Sequence, residues 1–208
     1  LITSNQIFEL NALPKSLAVI GSGVIAIELA QAMQRLGVNT TVFARSRKVG
    51  VLTSPKLQQL AQTEISAELE IKFEVLPTKV KYINDQVEIS FIENGQPKTL
   101  NVDYLLVATG RSSFLNTLKL ENIYTSFTDL KHLPVDPETK QLADYPIFII
   151  GDAYTDTPLQ HEAAHEGKVS VKNALNFPTI ESCKTLTPLG IVFSNPEMAM
   201  VGQNFKQL

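Results

Sequence analysis

A glycine turn between an apolar strand and an amphipathic helix constrains this chain more than any other feature. Leu17 to Ile20 is a short apolar run, and Gly21-Ser22-Gly23-Val24-Ile25-Ala26 follows it directly. Gly21 permits a tight strand-to-helix turn, and Gly23 presents backbone with no Cβ in the way of an approaching group. Ala26 is small enough for the helix to pack closely on the strand. Ile25, Leu29, Met33 and Leu36 recur at helical spacing, Gly37 supplies a stop, and Thr40 to Ala44 reads as a second strand. An isolated G-x-G-x-x-[GA] often marks an ordinary glycine turn. Here strand, glycines, helix, stop and strand follow one another within about 30 residues, which predicts a βαβ unit that cradles a dinucleotide's diphosphate at the helix N-terminus.

Arg45 closes the second strand, where such a unit places the residue that reads the adenosine ribose. An acid there accepts hydrogen bonds from a free 2′-hydroxyl, whereas a guanidinium favours a 2′-phosphate. No acid occurs from Thr40 to Lys48. Arg45, Ser46 and Arg47 are therefore candidate ribose-phosphate residues, with NADP preferred over NAD. The plain alternative is that Arg45-Ser46-Arg47-Lys48 is a solvated basic loop.

Composition bounds the remaining classes. A chain of 208 residues with 44% hydrophobic content and a net charge of −3 can bury one or two cores and has no general attraction to nucleic acid. No apolar run is long enough to span a membrane, and no secretory signal opens the sequence. Cys183 is the single cysteine, so an internal disulfide or thiolate metal cluster is excluded. A cytoplasmic location is the default expectation.

Beyond the first unit the pattern is α/β with a β meander. Pro55 to Leu69 has helical periodicity through Leu57, Leu60, Ala61 and Ile65. Ile71 to Val75, Lys79 to Ile83 and Gln86 to Ile92 are short strand candidates, and Asn94-Gly95 predicts a hairpin into Lys98 to Val102. Tyr104 to Ala108 and Ile147 to Ile150 read as buried strands, ending in Thr109-Gly110-Arg111 and Gly151-Asp152. A helix is predicted from about His161 to Ala174.

Taken together, Gly21 to Glu28, Ala108-Thr109-Gly110-Arg111 and Phe148-Ile149-Ile150-Gly151-Asp152-Ala153 resemble the flavin-dependent pyridine nucleotide–disulfide oxidoreductases. That family includes dihydrolipoamide dehydrogenase, glutathione reductase and mercuric reductase. The resemblance extends from Phe8-Glu9-Leu10 to the tail Asn195-Pro196-Glu197-Met198-Ala199-Met200-Val201-Gly202. It implies an approach segment over 1–11 and a Rossmann-like NAD(P)H domain over 12–112. It also implies the C-terminal half of an FAD domain over 113–186 and the first strands of a dimerisation domain over 187–208. No second glycine fingerprint and no Cys-x4-Cys pair occur in the chain. A piece of an enzyme about twice as long, homodimeric when intact, is therefore expected.

The resemblance also implies roles. Glu28 matches the acid that approaches the nicotinamide, and Asp152 matches the acid that binds the ribityl chain of FAD. Val24 falls where glutathione reductases carry an aromatic gate, so such a gate is not expected. Gly21, Ser22, Gly23, Val24, Ile25, Ala26, Val80, Ala108, Gly110, Arg111, Gly151, Gln160 and His161 complete the candidate cofactor contacts.

His161-Glu162-Ala163-Ala164-His165 also satisfies the H-E-x-x-H pattern of zinc hydrolases. The same stretch resembles the flavoenzyme segment ending in Glu166-Gly167, the only other histidine, His132, precedes it in a loop, and nothing in the setting of Glu181 supports it as a third ligand, so no metal is expected. The expected activity is hydride exchange between nicotinamide and flavin, with onward transfer to a disulfide or similar acceptor. A transhydrogenase or NAD(P)H oxidase lacking a redox disulfide is the enzymatic alternative. A nucleotide-sensing module is the non-enzymatic one.

Overall fold

The computed structural model describes residues 1–154, 159–184 and 186–205. They form two units, one from residues 1–110 with the described part of 188–208, the other from 111–187 less the residues outside that description.

The first unit is built on a parallel sheet of order β3-β2-β1-β7, with β1 (Ser16–Ile20), β2 (Asn39–Ala44), β3 (Glu70–Phe73) and β7 (Tyr104–Val107). Helices α1 (Val24–Arg35) and α2 (Pro55–Ser66) make the crossovers. Leu17, Ala18, Val19, Val42 and Phe43 are fully buried, as the near-continuous apolar runs of strands covered on both faces require. The α1 face turned to the sheet is Ala26, Ile27, Ala30 and Met33, whereas Leu36 stays largely exposed. The predicted apolar stripe through Ile25 and Leu36 is thus rotated by about one residue. Ala26 and Ala30 contribute small side chains to this seam, and Ile27 and Met33 fill the space beside them.

Helix α2 starts with Pro55 at its first position, where the missing N–H is no loss, and ends at Ser66, three residues before the predicted Leu69. Ala61 and Ile65 face inward as expected, but Gln58 joins them and Leu57 and Leu60 face outward. The Gln58 amide explains the exchange. Its oxygen accepts the Val49 N–H at 2.9 Å, and its nitrogen donates to the carbonyls of Val49 at 2.9 Å and Leu52 at 2.7 Å.

The meander is β4 (Pro77–Ile83), β5 (Gln86–Glu93) and β6 (Gln96–Val102), antiparallel throughout, with turns at Asn84-Asp85 and Asn94-Gly95 at positive φ. Val87, Ile89 and Phe91 alternate inward onto the sheet, where the Phe91 ring meets Phe43 edge to face at 5.1 Å. A hairpin of β8 (Leu189–Val192) and β9 (Met198–Val201) buries Val192 and Met198 in the same core as α1.

The second unit is mostly irregular. Short 3-10 turns, including Leu115–Leu118, Thr125–Thr128 and Gly151–Ala153, surround a core of Leu115, Leu120, Phe127, Leu133, Leu142 and Ile149. The long helix α3 (Gln160–Asn176) completes it. The strand expected at Ile147 to Ile150 does not form. Its backbone is extended at Ile150, yet the segment makes only an isolated bridge, Gln141 to Phe148. A strand is defined by its ladder, and here the pairing with Lys140 to Leu142 stops at that single bridge.

Candidate functional site

The sheet order reverses at β1, because β2 lies on one side of it and β7 on the other. Ligands of open α/β sheets bind outside the carboxyl ends of strands at such a switch point. Gly21, at φ +124°, leaves β1 there, and a Cβ on it would lie 2.4 Å from the Ala108 carbonyl oxygen at the end of β7. The Gly21 N–H donates to the Phe43 carbonyl at 2.9 Å, and the Ala108 N–H to the Ile20 carbonyl at 2.9 Å. Gly21 is therefore required by the meeting of three strand ends as much as by the turn itself.

Gly23 differs. Its φ of −75° is ordinary, and a Cβ there would meet nothing within 4 Å. Gly23 caps α1 without a side-chain hydrogen bond, and no acid occupies the first turn. The opening turn through Val24, Ile25 and Ala26 thus directs backbone N–H groups and positive dipole into open space, the arrangement an anionic diphosphate needs.

Arg45, Ser46, Arg47 and Lys48 are all exposed beyond the end of β2. The loop turns back at Gly50, whose N–H donates to the Ser22 carbonyl at 2.8 Å. This bond ties the basic loop to the glycine turn, and sequence spacing alone did not reveal it. Gly50 sits at φ +61°, where a Cβ would meet the Met198 methyl at 3.0 Å. The Arg47 guanidinium lies over the Phe73 ring at 5.3 Å, while among the described residues no ring is so placed for Arg45.

Glu28, half-buried on α1, accepts the Phe193 N–H through Oε1 at 2.8 Å. Gln31, one turn on, bonds both ways with Asn195, accepting its N–H at 2.7 Å and donating to its carbonyl at 2.9 Å. Gln31 also donates to Glu68, which Arg35 grips through two bonds, at 2.6 and 2.9 Å. The Arg35 hydrogen bond holds the Glu68 carboxyl below its usual range. Glu28 is thus fixed at one oxygen by the segment that joins β8 to β9. Val80 lies on the exposed edge strand β4, and Gly110, at φ +139°, is open to solvent.

In the second unit Arg111 and Asp152 meet, Nη1 to Oδ2 at 2.7 Å, on an exposed face. Gly151, at φ +57°, is buried against Ala163 of α3, and a Cβ would lie 2.8 Å from the Ala163 methyl. Gln160 and His161 open α3 and are exposed. His165 Nε2 lies 2.9 Å from the Lys184 carbonyl, Glu181 pairs with Lys172 at 2.7 Å, and Glu162 is buried. Among the described residues no group of three His, Cys, Asp or Glu side chains is arranged to hold a metal ion. Burial pushes the Cys183 thiol up, away from the reactive thiolate form. Among the described residues no helix is long and apolar enough to cross a membrane.

The sequence profile of the pyridine nucleotide-disulphide oxidoreductases matches residues 1–167, and the chain belongs to that family. It is 31% identical to a mercuric reductase of Staphylococcus aureus over 207 residues, which is 99% of this chain and 38% of that reductase. A dihydrolipoyl dehydrogenase of Geobacillus stearothermophilus is 29% identical over 203 residues, covering 97% of this chain and 43% of the dehydrogenase. In fold it superposes on LpdA of Mycobacterium tuberculosis with a TM-score of 0.82 at 24% identity, over 99% of this chain and 44% of LpdA. The chain thus spans well under half the length of these relatives.

Proposed function

We propose that this chain supplies the pyridine-nucleotide site and part of the flavin site of a flavin-dependent NAD(P)H oxidoreductase. The observation that carries the reading is the open, uncapped start of α1 behind Gly23, at the point where the sheet order reverses. In this reading the α1 N–H groups stabilise the nucleotide diphosphate, and the missing Cβ at Gly23 lets it approach. Arg45, exposed on the loop whose Gly50 returns to Ser22, donates two charge-assisted hydrogen bonds to a 2′-phosphate. This supports NADP over NAD.

Glu28 orients the nicotinamide carboxamide, with Oε1 committed to Phe193 and Oε2 left as the acceptor. The exposed Asp152 carboxylate suits the hydroxyls of a flavin ribityl chain, so the residues present fit that half of the cofactor. FAD, held in part by Asp152, would supply the hydride and electron chemistry that links the nicotinamide to a disulfide or similar acceptor. The partition into NAD(P)H domain, FAD half-domain and start of a dimerisation domain belongs to the same reading. So do a homodimer and a cytoplasmic location; a monomeric holoprotein in sedimentation would remove the former.

Gly23→Val tests the core of this reading. The side chain projects into open space, so unfolding free energy should change by no more than about 1 kcal/mol. NADPH binding, followed by nicotinamide fluorescence, should weaken at least about tenfold. Unchanged affinity would place the nucleotide elsewhere.

A further inference from the structure

Glu166 is buried on α3, and both of its oxygens are used. Oε2 accepts the Gly151 N–H at 2.7 Å, and Oε1 pairs with Lys140 Nζ at 2.8 Å. Its side chain is 8% exposed and that of Lys140 is 20% exposed. Nothing in the nucleotide or flavin reading above assigns a role to either residue.

The residue held is Gly151, the hinge of the turn that carries Asp152. Gly151 stands at φ +57° with its Cα against Ala163, one helical turn before Glu166. Two residues of α3 at i and i+3 spacing therefore grip this one glycine, Ala163 by shape and Glu166 by charge. A hydrogen bond to an ionised acceptor is stronger than a neutral one and more directional than packing. Lys140 pairs with the other oxygen of the same carboxylate. Its own backbone is fixed, since its N–H donates to the Asp136 carbonyl at 2.8 Å and its carbonyl accepts the Ile149 N–H at 2.9 Å. Lys140 thus ties the segment before Ile149 and the helix after Asp152 to the same carboxylate.

We propose that Glu166 is a positioning residue for Asp152: held by Lys140, it fixes the Gly151 turn and so sets where the Asp152 carboxylate meets a flavin. The inference rests on the reading of Asp152 as a flavin contact, and its test separates the two.

In this chain, the Gly151 amide proton should resonate downfield and exchange slowly, as expected for a bond to a buried carboxylate. Glu166→Ala should abolish that signature and speed Gly151 exchange at least about tenfold. The Leu142 amide, bonded to the Ile147 carbonyl at 2.8 Å in the same unit, should keep its protection. Glu166→Gln combined with Lys140→Met retains an acceptor oxygen but removes the charge and the Lys140 anchor, so it should recover only part of the Gly151 protection that Glu166→Ala loses. An unchanged Gly151 amide in Glu166→Ala, or equal loss at Leu142, would overturn the positioning role.

The second arm uses the flavin-loaded holoprotein. Glu166→Ala and Asp152→Asn should each weaken flavin binding about tenfold, and the double variant little further, because one acts through the other. A loss with Asp152→Asn but none with Glu166→Ala contradicts the proposal. No loss with Asp152→Asn removes Asp152 from the flavin site, and the Gly151 amide then judges Glu166 alone.

Discussion

At the scale of single residues, the glycines of the fingerprint divide by what surrounds them. Gly21 answers to the fold: a side chain there would adopt an unfavourable φ of +124° and meet the Ala108 carbonyl at 2.4 Å. Gly21→Ala should therefore lower the unfolding free energy by about 3 kcal/mol or more, measured by chemical denaturation, and a loss below about 1 kcal/mol would contradict the strand-end geometry. Gly23 does not answer to the fold, since nothing in the protein lies within 4 Å of its missing Cβ, and its proposed role is to leave that space to a ligand. Both positions were legible in the sequence because a glycine turn between strand and helix has few physical uses. Glu28 was legible only in part. Its contact with Phe193 spans 165 residues of chain, and no local spacing encodes it. Gln31 with Asn195 and Glu166 with Gly151 were missed for the same reason, and each is a polar helix residue that sequence pattern alone assigns to solvent.

At the scale of elements, the meander is joined to the parallel sheet by packing and by charge. Lys72 on β3 pairs with Glu70 at 2.8 Å and with Glu93 on β5 at 3.1 Å, and Lys98 on β6 reaches Glu93 at 2.5 Å. The Lys72 hydrogen bond holds the Glu70 carboxyl below its ordinary value of about 4.5. Glu93 is held down first by Lys98 and then by Lys72. Carboxyls depressed in the folded state contribute stability that is complete above the ordinary value and is lost as pH falls through the folded one. Lys72→Met should therefore cost about 1 kcal/mol near neutral pH, and its stability should decline less steeply below about pH 4.5 than that of the wild type. Parallel acid-denaturation curves would show that these pairs add nothing.

Element types were readable where a period or a turn residue recorded them, as in β1, β2, the Asn94-Gly95 hairpin and α3. The expected strand at Ile147 to Ile150 was not, because an apolar run records burial and says nothing of whether a partner strand lies beside it. Composition could not distinguish the fully buried Phe43 from the outward Leu57 and Leu60. That difference is made by Gln58, whose amide had to turn inward to hold the loop at Val49 and Leu52.

At the scale of the whole molecule, the glycine turn and the Gly151-Asp152 turn lie in two separately packed units of one chain, and the proposed nucleotide and flavin roles fall to one unit each. The chain belongs to the pyridine nucleotide-disulphide oxidoreductases, and the proposed preference for a 2′-phosphate depends on Arg45 in the loop that Gly50 returns to the glycine turn. Charge-assisted hydrogen bonds to a phosphate contribute about 1.5–3 kcal/mol, whereas a neutral hydroxyl offers a guanidinium far less. The most direct measurement is calorimetric titration of NADPH and NADH into the wild-type chain and Arg45→Ala. NADPH should bind more tightly to the wild type and weaken by on the order of 10- to 100-fold in the variant, with NADH nearly unchanged. Arg47 or Lys48 sharing the phosphate would reduce that loss without reversing the preference. Equal wild-type affinities, or equal losses for both nucleotides in Arg45→Ala, would contradict it.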